Sequence, residues 1–360
     1  MEEKEEINFD FSLSSKPVKE YHKISIAPMM GITNRHFRYF MRLLTKQTVL
    51  YTEMVHHDAI LNCKEGFNKL LEFNSEENPL ILQLGGNNPE LLAKCGEIAN
   101  KMGYNEINLN CGCPSSRVTA HNFGACLMNS PELVGECVKA IKKSSNLPVT
   151  VKCRLGLNKE NDEFLDNFIR RVSKIGEVDH FIVHARLAIM NLDTDKNRKI
   201  PPLRYDRVFQ LKKDFPQLNF SINGGIKTYE EINNLLESKL LSGCMIGRAA
   251  YDNPWIFSQM DKLFYNKINP GYSRKEILLK YGEYGDNYLN NVGPFEKDKI
   301  YPELIGPLTF LFNGEKYNSI YKQFLMDKKN WKDVETFYDF IVSAVENYEK
   351  KNKESLENYP

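Results

Sequence analysis

N-E-I-N-L-N-C-G-C-P-S-S, residues Asn105–Ser116, opens as a strand and ends as a turn. Ile107 and Leu109 alternate with Asn108 and Asn110, the period of two that a strand imposes on its faces. Gly112 and Pro114 break that period at once and leave Cys113 in the loop just past the strand's C-terminal end. A thiol on a tight turn at a strand end is well placed to face a ligand. Taken alone, Cys111 and Cys113 read equally well as small buried apolar residues, since free cysteine is among the most buried types. The sequence on either side separates the two readings.

Outward from this stretch a rhythm repeats from Ile24 onward: a short apolar run, a loop with Gly, Pro or Asn, then a helical pattern. The runs are Ile24–Ala27, Val49–Tyr51, Leu80–Leu84, Ile107–Leu109, Val149–Val151, Phe181–Val183, Phe220–Ile222 and Cys244–Ile246. Eight strands alternating with helices predict parallel β/α units, and residues 24–250 match a closed (β/α)8 TIM barrel in size. A doubly wound open sheet is the other α/β solution, but no G-x-G-x-x-G follows the first strand.

The residues that follow the runs carry the chemistry. They are Pro28-Met29-Met30-Gly31, Glu53-Met54, Gln83, Asn110, Lys152, His184, Asn223-Gly224-Gly225 and Gly247-Arg248. A parallel barrel gathers all of them on its C-terminal rim, where such folds place their sites. A barrel without a ligand has no need to converge Gln, Asn, Lys, His, Arg and Cys on one rim. Asn223-Gly224-Gly225 and Gly247-Arg248, after strands seven and eight, occupy the phosphate-binding corner of barrels. Glycine lets backbone N–H groups approach a phosphate, a helix N-terminus favours the anion, and Arg248 adds a charge-assisted contact.

Length 360 allows a barrel-sized domain and a smaller one. We divide the chain into a loose charged tail (1–21), the barrel (22–265) and a C-terminal helical domain (266–360), with Pro270-Gly271 marking the link. With 48 basic and 47 acidic residues, bulk charge gives no argument for a nucleic-acid partner, though a local patch remains open. The eight cysteines lack disulfide-scaffold spacing and are read as reduced thiols. Cys111-x-Cys113 has no matching pair, so no metal site is expected. No apolar run approaches the ~20 residues of a membrane span, and M-E-E-K-E-E is no secretory signal or transit peptide. A cytoplasmic protein with no membrane partner is expected.

S-I-A-P-M-M-G-I-T-N-R-H-F-R-Y-F, Y-T-E-M-V, L-Q-L-G-G, E-I-N-L-N-C-G-C-P-S, F-G-A-C-L-M, V-T-V-K, H-A-R, S-I-N-G-G-I and I-G-R occur in that order between Ile24 and Pro254. With N-R-x-I-P-P-L at Asn197–Leu203, they resemble the tRNA-dihydrouridine synthases, most nearly the A-type branch that reduces D-loop uridines 20 and 20a. The resemblance implies a barrel carrying FMN, reduced by NADPH, and tRNA as partner. It puts Pro28, Met29 and Met30 along the isoalloxazine, Gln83 and Lys152 at its polar edge, and His184 against the flavin or the uracil. Asn223, Gly224, Gly225, Gly247 and Arg248 would hold the FMN phosphate. Asn110 would hydrogen-bond the uracil edge, and Arg186 and Arg198 would meet the base or neighbouring phosphates. The target uridine would be flipped into the pocket, hydride would pass from flavin N5 to uracil C6, and Cys113 would donate the proton to C5. Cys126, in G-A-C-L, sits on the following loop and is not assigned this role.

Two departures from the family stand out. Cys111 replaces the usual apolar valine, as an inert substitute or as a thiol able to form an off-pathway disulfide with its neighbour. The helical domain lacks the basic residue expected in Glu303–Leu308, leaving Lys322 as the cation nearby. Two other functions fit the same fold: a flavin barrel acting on a small molecule, and a non-catalytic tRNA-binding protein. The first would not carry both N-x-N-x-G-C-P-S and H-A-R, and the second would not keep Cys113, Lys152, His184 and the glycine loops.

Overall fold

Strands and helices alternate from Ile24 to Ile246 in a computed structural model that describes residues 20–63, 66, 70–159, 161–292, 297–332 and 334–351. The strands are β1 (Ile24–Ile26), β2 (Leu50–His56), β3 (Leu80–Gly85), β4 (Glu106–Cys111), β5 (Val149–Arg154), β6 (His180–His184), β7 (Asn219–Asn223) and β8 (Gly243–Ile246). All pair in parallel in the order β1-β8-β7-β6-β5-β4-β3-β2. A bridge from Ser25 to Val49 joins the two ends, with Ile26 N–H donating to Val49 O at 2.9 Å. The result is the expected (β/α)8 barrel.

Strand β2 runs five residues beyond its apolar run. Its register against β3 shifts between Tyr51 and Met54, a bulge that interrupts strict alternation and hides the second half from a period-two reading. The helices start where short polar side chains can accept first-turn N–H groups. Asn34 caps Arg35–Leu44, Asn88 caps Pro89–Met102, Asn161 caps Asp162–Gly176, and Thr228 with Glu231 forms a capping box for Tyr229–Glu237.

Apolar strand residues such as Ile107, Leu109, Val149, Val151, Phe181 and Ile222 face outward into the helix layer. Inside the barrel a small separate cluster of Ala27, Val49, Tyr51, Ile81, Ile182 and Met245 is filled out by polar side chains. The Asn108 and Asn110 parity therefore points inward, as the alternation in Asn105–Ser116 requires.

Below the barrel, Tyr265 donates to Ile24 O and accepts from Ile24 N–H, at the end of the helix Met260–Tyr265. After it come helices Arg274–Leu289, Lys297–Ile305, Asn318–Met326 and Phe337–Lys351. They lean on the barrel helix Arg35–Leu44: Tyr284 stacks on Tyr39 at 3.9 Å and bonds His36 Nδ1 at 2.8 Å. One apolar core runs through both layers. Glu20–Lys23 form a 3₁₀ turn at the barrel floor. The rest of the expected N-terminal tail and residues 352–360 lie outside the described residues. Among the described residues no helix is long and apolar enough to cross a membrane.

Candidate active site

The rim is built from inward-facing residues at or near the C-terminal ends of the strands. Asn110, at the top of β4, uses its Oδ1 to accept the N–H groups of Gly112 and Cys113 at 3.1 and 3.0 Å. Its Nδ2 donates to Gln83 Oε1 at 3.0 Å, and Gln83 Nε2 donates to Asn108 Oδ1 at 2.8 Å. The Cys113 turn is also held from the far side, where Ala125 N–H donates to Cys113 O at 2.9 Å. Gly124 makes that approach possible, because a Cβ there would lie 2.7 Å from the same carbonyl oxygen. The Cys113 side chain is half-buried, and its sulfur bonds no described residue.

Lys152, Arg154, Arg186 and Arg198 surround His184. Burial, then the charges of Arg154, Lys152, Arg186 and Arg198, hold its imidazole well below the ordinary value and so neutral. Burial first, then Arg154, brings the half-buried Lys152 ammonium down to about 8. Lys152 bonds no described residue. Arg154 is buried and structural: it donates to Gly112 O at 3.3 Å, Leu187 O at 3.0 Å and Asn197 O at 3.2 Å. It thus ties the Cys113 turn to the long loop after β6. Asn197, fully buried, folds that loop through bonds to Ile189 and Leu192.

In the corner after β7 and β8, Gly224 and Gly225 have φ of +118° and +78°, conformations that L side chains rarely adopt. A Cβ on Gly224 would lie 2.8 Å from His184 Cδ2, and one on Gly225 would lie 2.5 Å from Leu203 Cδ1. Asn223 Nδ2 donates to Met245 O at 2.8 Å and so holds β7 to β8. Gly247 opens a helix of only five residues, Arg248–Asp252, so one turn supplies whatever dipole there is. Arg248 reaches over to Arg198 O at 3.5 Å, while Arg198 Nε donates to Thr194 O at 3.0 Å. Arg186 bonds Pro201 O, and its buried Nε has no hydrogen-bond partner. The unpartnered ammonium, the orphaned Nε and the bare glycine turn suit an anionic, phosphate-bearing ligand.

A sequence model of the family described as dihydrouridine synthase (Dus) matches residues 25–346. The chain belongs to the dihydrouridine synthase family. A Synechocystis relative named tRNA-dihydrouridine(20/20a) synthase is 46% identical over 84% of this chain and 88% of its own. An Escherichia coli O6:H1 relative of the same name is 50% identical over 69% of this chain and 74% of its own. Among solved structures, a 2-naphthoyl-CoA reductase complex superposes with TM-score 0.52 at 8% identity, covering 69% of this chain and 52% of that one. At that identity the likeness shows the fold alone.

In this dihydrouridine synthase the strand-end residues named from sequence gather on one rim, but two side chains stand apart. Met29 is buried in the outer apolar core, and Met30 is 68% exposed. Of the turn expected along a flavin ring, Pro28 and the backbone are left to meet a ligand. Cys111 points away from Cys113 into the helix layer, fully buried, with its thiol pushed well up by burial. That placement fits the inert substitute and not the disulfide partner. Cys126 lies on the 3₁₀ turn Gly124–Asn129 with its thiol also raised by burial. All eight cysteines are free.

Sequence reading missed Arg154 and the interior ladder of Glu106, Asn108 and Thr150. The available signal was parity: each lies two or four positions below a rim residue, or two above, on the same strand face. It also missed His56, His57 and Asp58, whose ligand atoms lie within 4.8 Å of one another, the one such group among the described residues. They already bond each other, His57 Nδ1 to Asp58 Oδ1 at 3.0 Å. On the β2 side the rim is acidic. Burial and then the charge of Glu53 raise the Glu303 carboxyl, and Lys322 is occupied over the Phe310 ring at 4.0 Å.

The depressed Lys152 carries a signed prediction. Between about 8 and the ordinary lysine value, the folded chain has given up a proton that the unfolded chain still holds. Stability from this group therefore rises with pH across that window. In flavin-free protein, Lys152→Met should raise the melting temperature at pH 7 and lose most of that advantage by about pH 10. Calorimetry at the two pH values checks it; an equal gain at both would show that the charge is not the cause.

Proposed function

We propose that this protein is a tRNA-dihydrouridine(20/20a) synthase, reducing the C5=C6 bond of D-loop uridines with FMN as resident cofactor and NADPH as electron donor. The observation that carries this reading is the convergence, in a chain of this family, of the Cys113 turn, the unpartnered Lys152 and the glycine corner on one rim. The β5–β8 side, basic and glycine-lined, suits the cofactor; the Cys113 turn beside it suits the base. Bound FMN would supply the hydride that adds to C6.

The chain's own residues do the rest. Gly224 and Gly225 leave room for a phosphate, with Asn223, Gly247 and Arg248 around it and Arg186 at the edge. Lys152, still protonated at neutral pH, would stabilise negative charge that develops on a bound flavin. Gln83 and Asn110 orient ring carbonyls through their side-chain N–H groups. His184, neutral beside the cations, would pack against a bound ring without adding charge. Cys113 holds the proton that C5 takes, on a turn fixed from both sides. Arg186 and Arg198 are the cations nearest the mouth for phosphates flanking a flipped uridine, and the helices from Arg274 onward form the second tRNA-contacting unit. The site works in the cytoplasm, on tRNA, with no metal and no membrane.

The purified protein should be yellow and release FMN, not FAD, on denaturation. Dihydrouridine mapping of tRNA from cells lacking the protein should show loss at positions 20 and 20a. A colourless protein that takes up no FMN, or an unchanged map, would overturn the reading.

A further inference from the structure

Inside the barrel one line of hydrogen bonds runs from the floor to the Cys113 turn. At the floor His22, just before β1, meets Glu106 Oε2 at 2.7 Å, and both side chains are buried. The Thr150 hydroxyl donates to the other oxygen, Glu106 Oε1, at 2.8 Å. Thr150 has then spent its proton and receives one from Asn108 Nδ2 at 2.9 Å. Asn108 Oδ1 accepts from Gln83 Nε2 at 2.8 Å, Gln83 Oε1 accepts from Asn110 Nδ2 at 3.0 Å, and Asn110 Oδ1 accepts from the Cys113 N–H.

The direction of this line follows from its ends. A carboxylate only accepts and a hydroxyl has one proton to give, so each amide above Thr150 has one orientation that leaves no donor facing a donor. The two N–H groups of the Cys113 turn demand the same orientation from above. Buried networks gain rigidity when every member is satisfied and lose it when one is not. In this orientation one Nδ2 proton of Asn110 and one Nε2 proton of Gln83 remain uncommitted, donors of the kind a ring carbonyl accepts.

We propose that Glu106, acting through Thr150 and Asn108, is a positioning residue for the uridine reduction: it sets which way the Gln83 and Asn110 amides face and so steadies the Cys113 turn. This rests on the function proposed above.

Thr150→Val keeps the shape and removes the hydroxyl. In FMN-loaded enzyme it should slow the uridine half-reaction by about tenfold, with KM for tRNA within about twofold of wild type. In flavin-free protein the side-chain NH₂ resonances of Gln83 and Asn110 should move along with those of Asn108, though neither touches Thr150. Thr150→Ser should restore both readouts. Glu106→Gln should retain both, since its carbonyl can still accept from Thr150. If Thr150→Val does not fold, Thr150→Ala reads the same quantities. A lower melting temperature with unchanged rate, or NMR shifts confined to Asn108, would overturn the inference. If wild-type enzyme made no dihydrouridine, the proposed function would fall, while the NH₂ spectra would still decide the line on their own.

Discussion

Cys113→Ala should leave flavin reduction by NADPH nearly intact and slow the uridine half-reaction by roughly 10²–10⁴-fold, the range for losing a positioned general acid. The first half needs no proton at uracil C5, so it does not call on the thiol. The second half does, and the other two thiols of this region are turned to other partners. Cys126 is spent on a weak contact to Thr119 O at 4.0 Å, and Cys111 faces the helix layer. Lys152 is the nearest rival, but taking its proton would discharge the cation that the flavin edge requires. The substitution should not disturb the turn itself. The two bonds that Cys113 itself makes use its backbone, N–H to Asn110 and carbonyl to Ala125, and alanine keeps both. Anaerobic reduction with NADPH, then reoxidation by unmodified tRNA, separates the halves by flavin absorbance. Cys126→Ala and Cys111→Val should reoxidise within about threefold of wild type, the latter restoring the family's apolar residue. If Cys113→Ala matched wild type while Cys126→Ala stalled, the acid would lie on the other loop.

The barrel was legible because its physics is local. Alternation in Asn105–Ser116 gives the strand, its two faces and its turn, and seven more runs repeat the motif. The glycine doublet after β7 was legible for the same reason: positive φ at Gly224 and Gly225 is a property of single residues. What escaped depends on three dimensions. The bulge in β2 breaks the alternation that would have extended it to His56. Met29 looks like its neighbour Met30, yet one is buried and the other exposed, because a turn's side-chain directions have no period to read. Arg154 sits two residues after Lys152 on the same inward face, but its role comes from Gly112, Leu187 and Asn197, which only the closed barrel brings together. The polar interior was half visible: Asn108 and Asn110 stood out as the polar face of an alternating strand, but that this face lines the inside of the barrel, with Glu106 below it against His22, is shown only by the closed fold.

Arg154→Met should cost about 3–5 kcal/mol of stability and weaken the site it frames. The guanidinium is buried and makes three bonds to main-chain carbonyls, at 3.0 to 3.3 Å. Hydrogen bonds to a charged group are each worth about 1.5–3 kcal/mol, but these are at the long end of the range, and burying the cation offsets part of the gain. Burial, with Arg198 and Arg186 adding to it, lowers Arg154 to about 10, still cationic at neutral pH. Methionine fills much of the volume, so the loss comes chiefly from three carbonyls left without a donor and not from a cavity. Arg154→Lys should recover only part of it, because a single ammonium cannot span carbonyls on two loops as a planar fork does. Arg198→Met is the contrast: that side chain is half-buried with one bond, to Thr194 O, and its loss should cost under about 1 kcal/mol. A second readout moves the other way. With the Arg154 charge gone, Lys152 loses a repulsive neighbour, and its pKa should rise from about 8 toward the ordinary lysine value. Denaturant unfolding gives the first quantity and NMR titration of the lysine Nζ the second. A stability loss no larger than that of Arg198→Met, with Lys152 unmoved, would mean that Arg154 neither ties the Cys113 turn to the loop after β6 nor sets the charge of the rim.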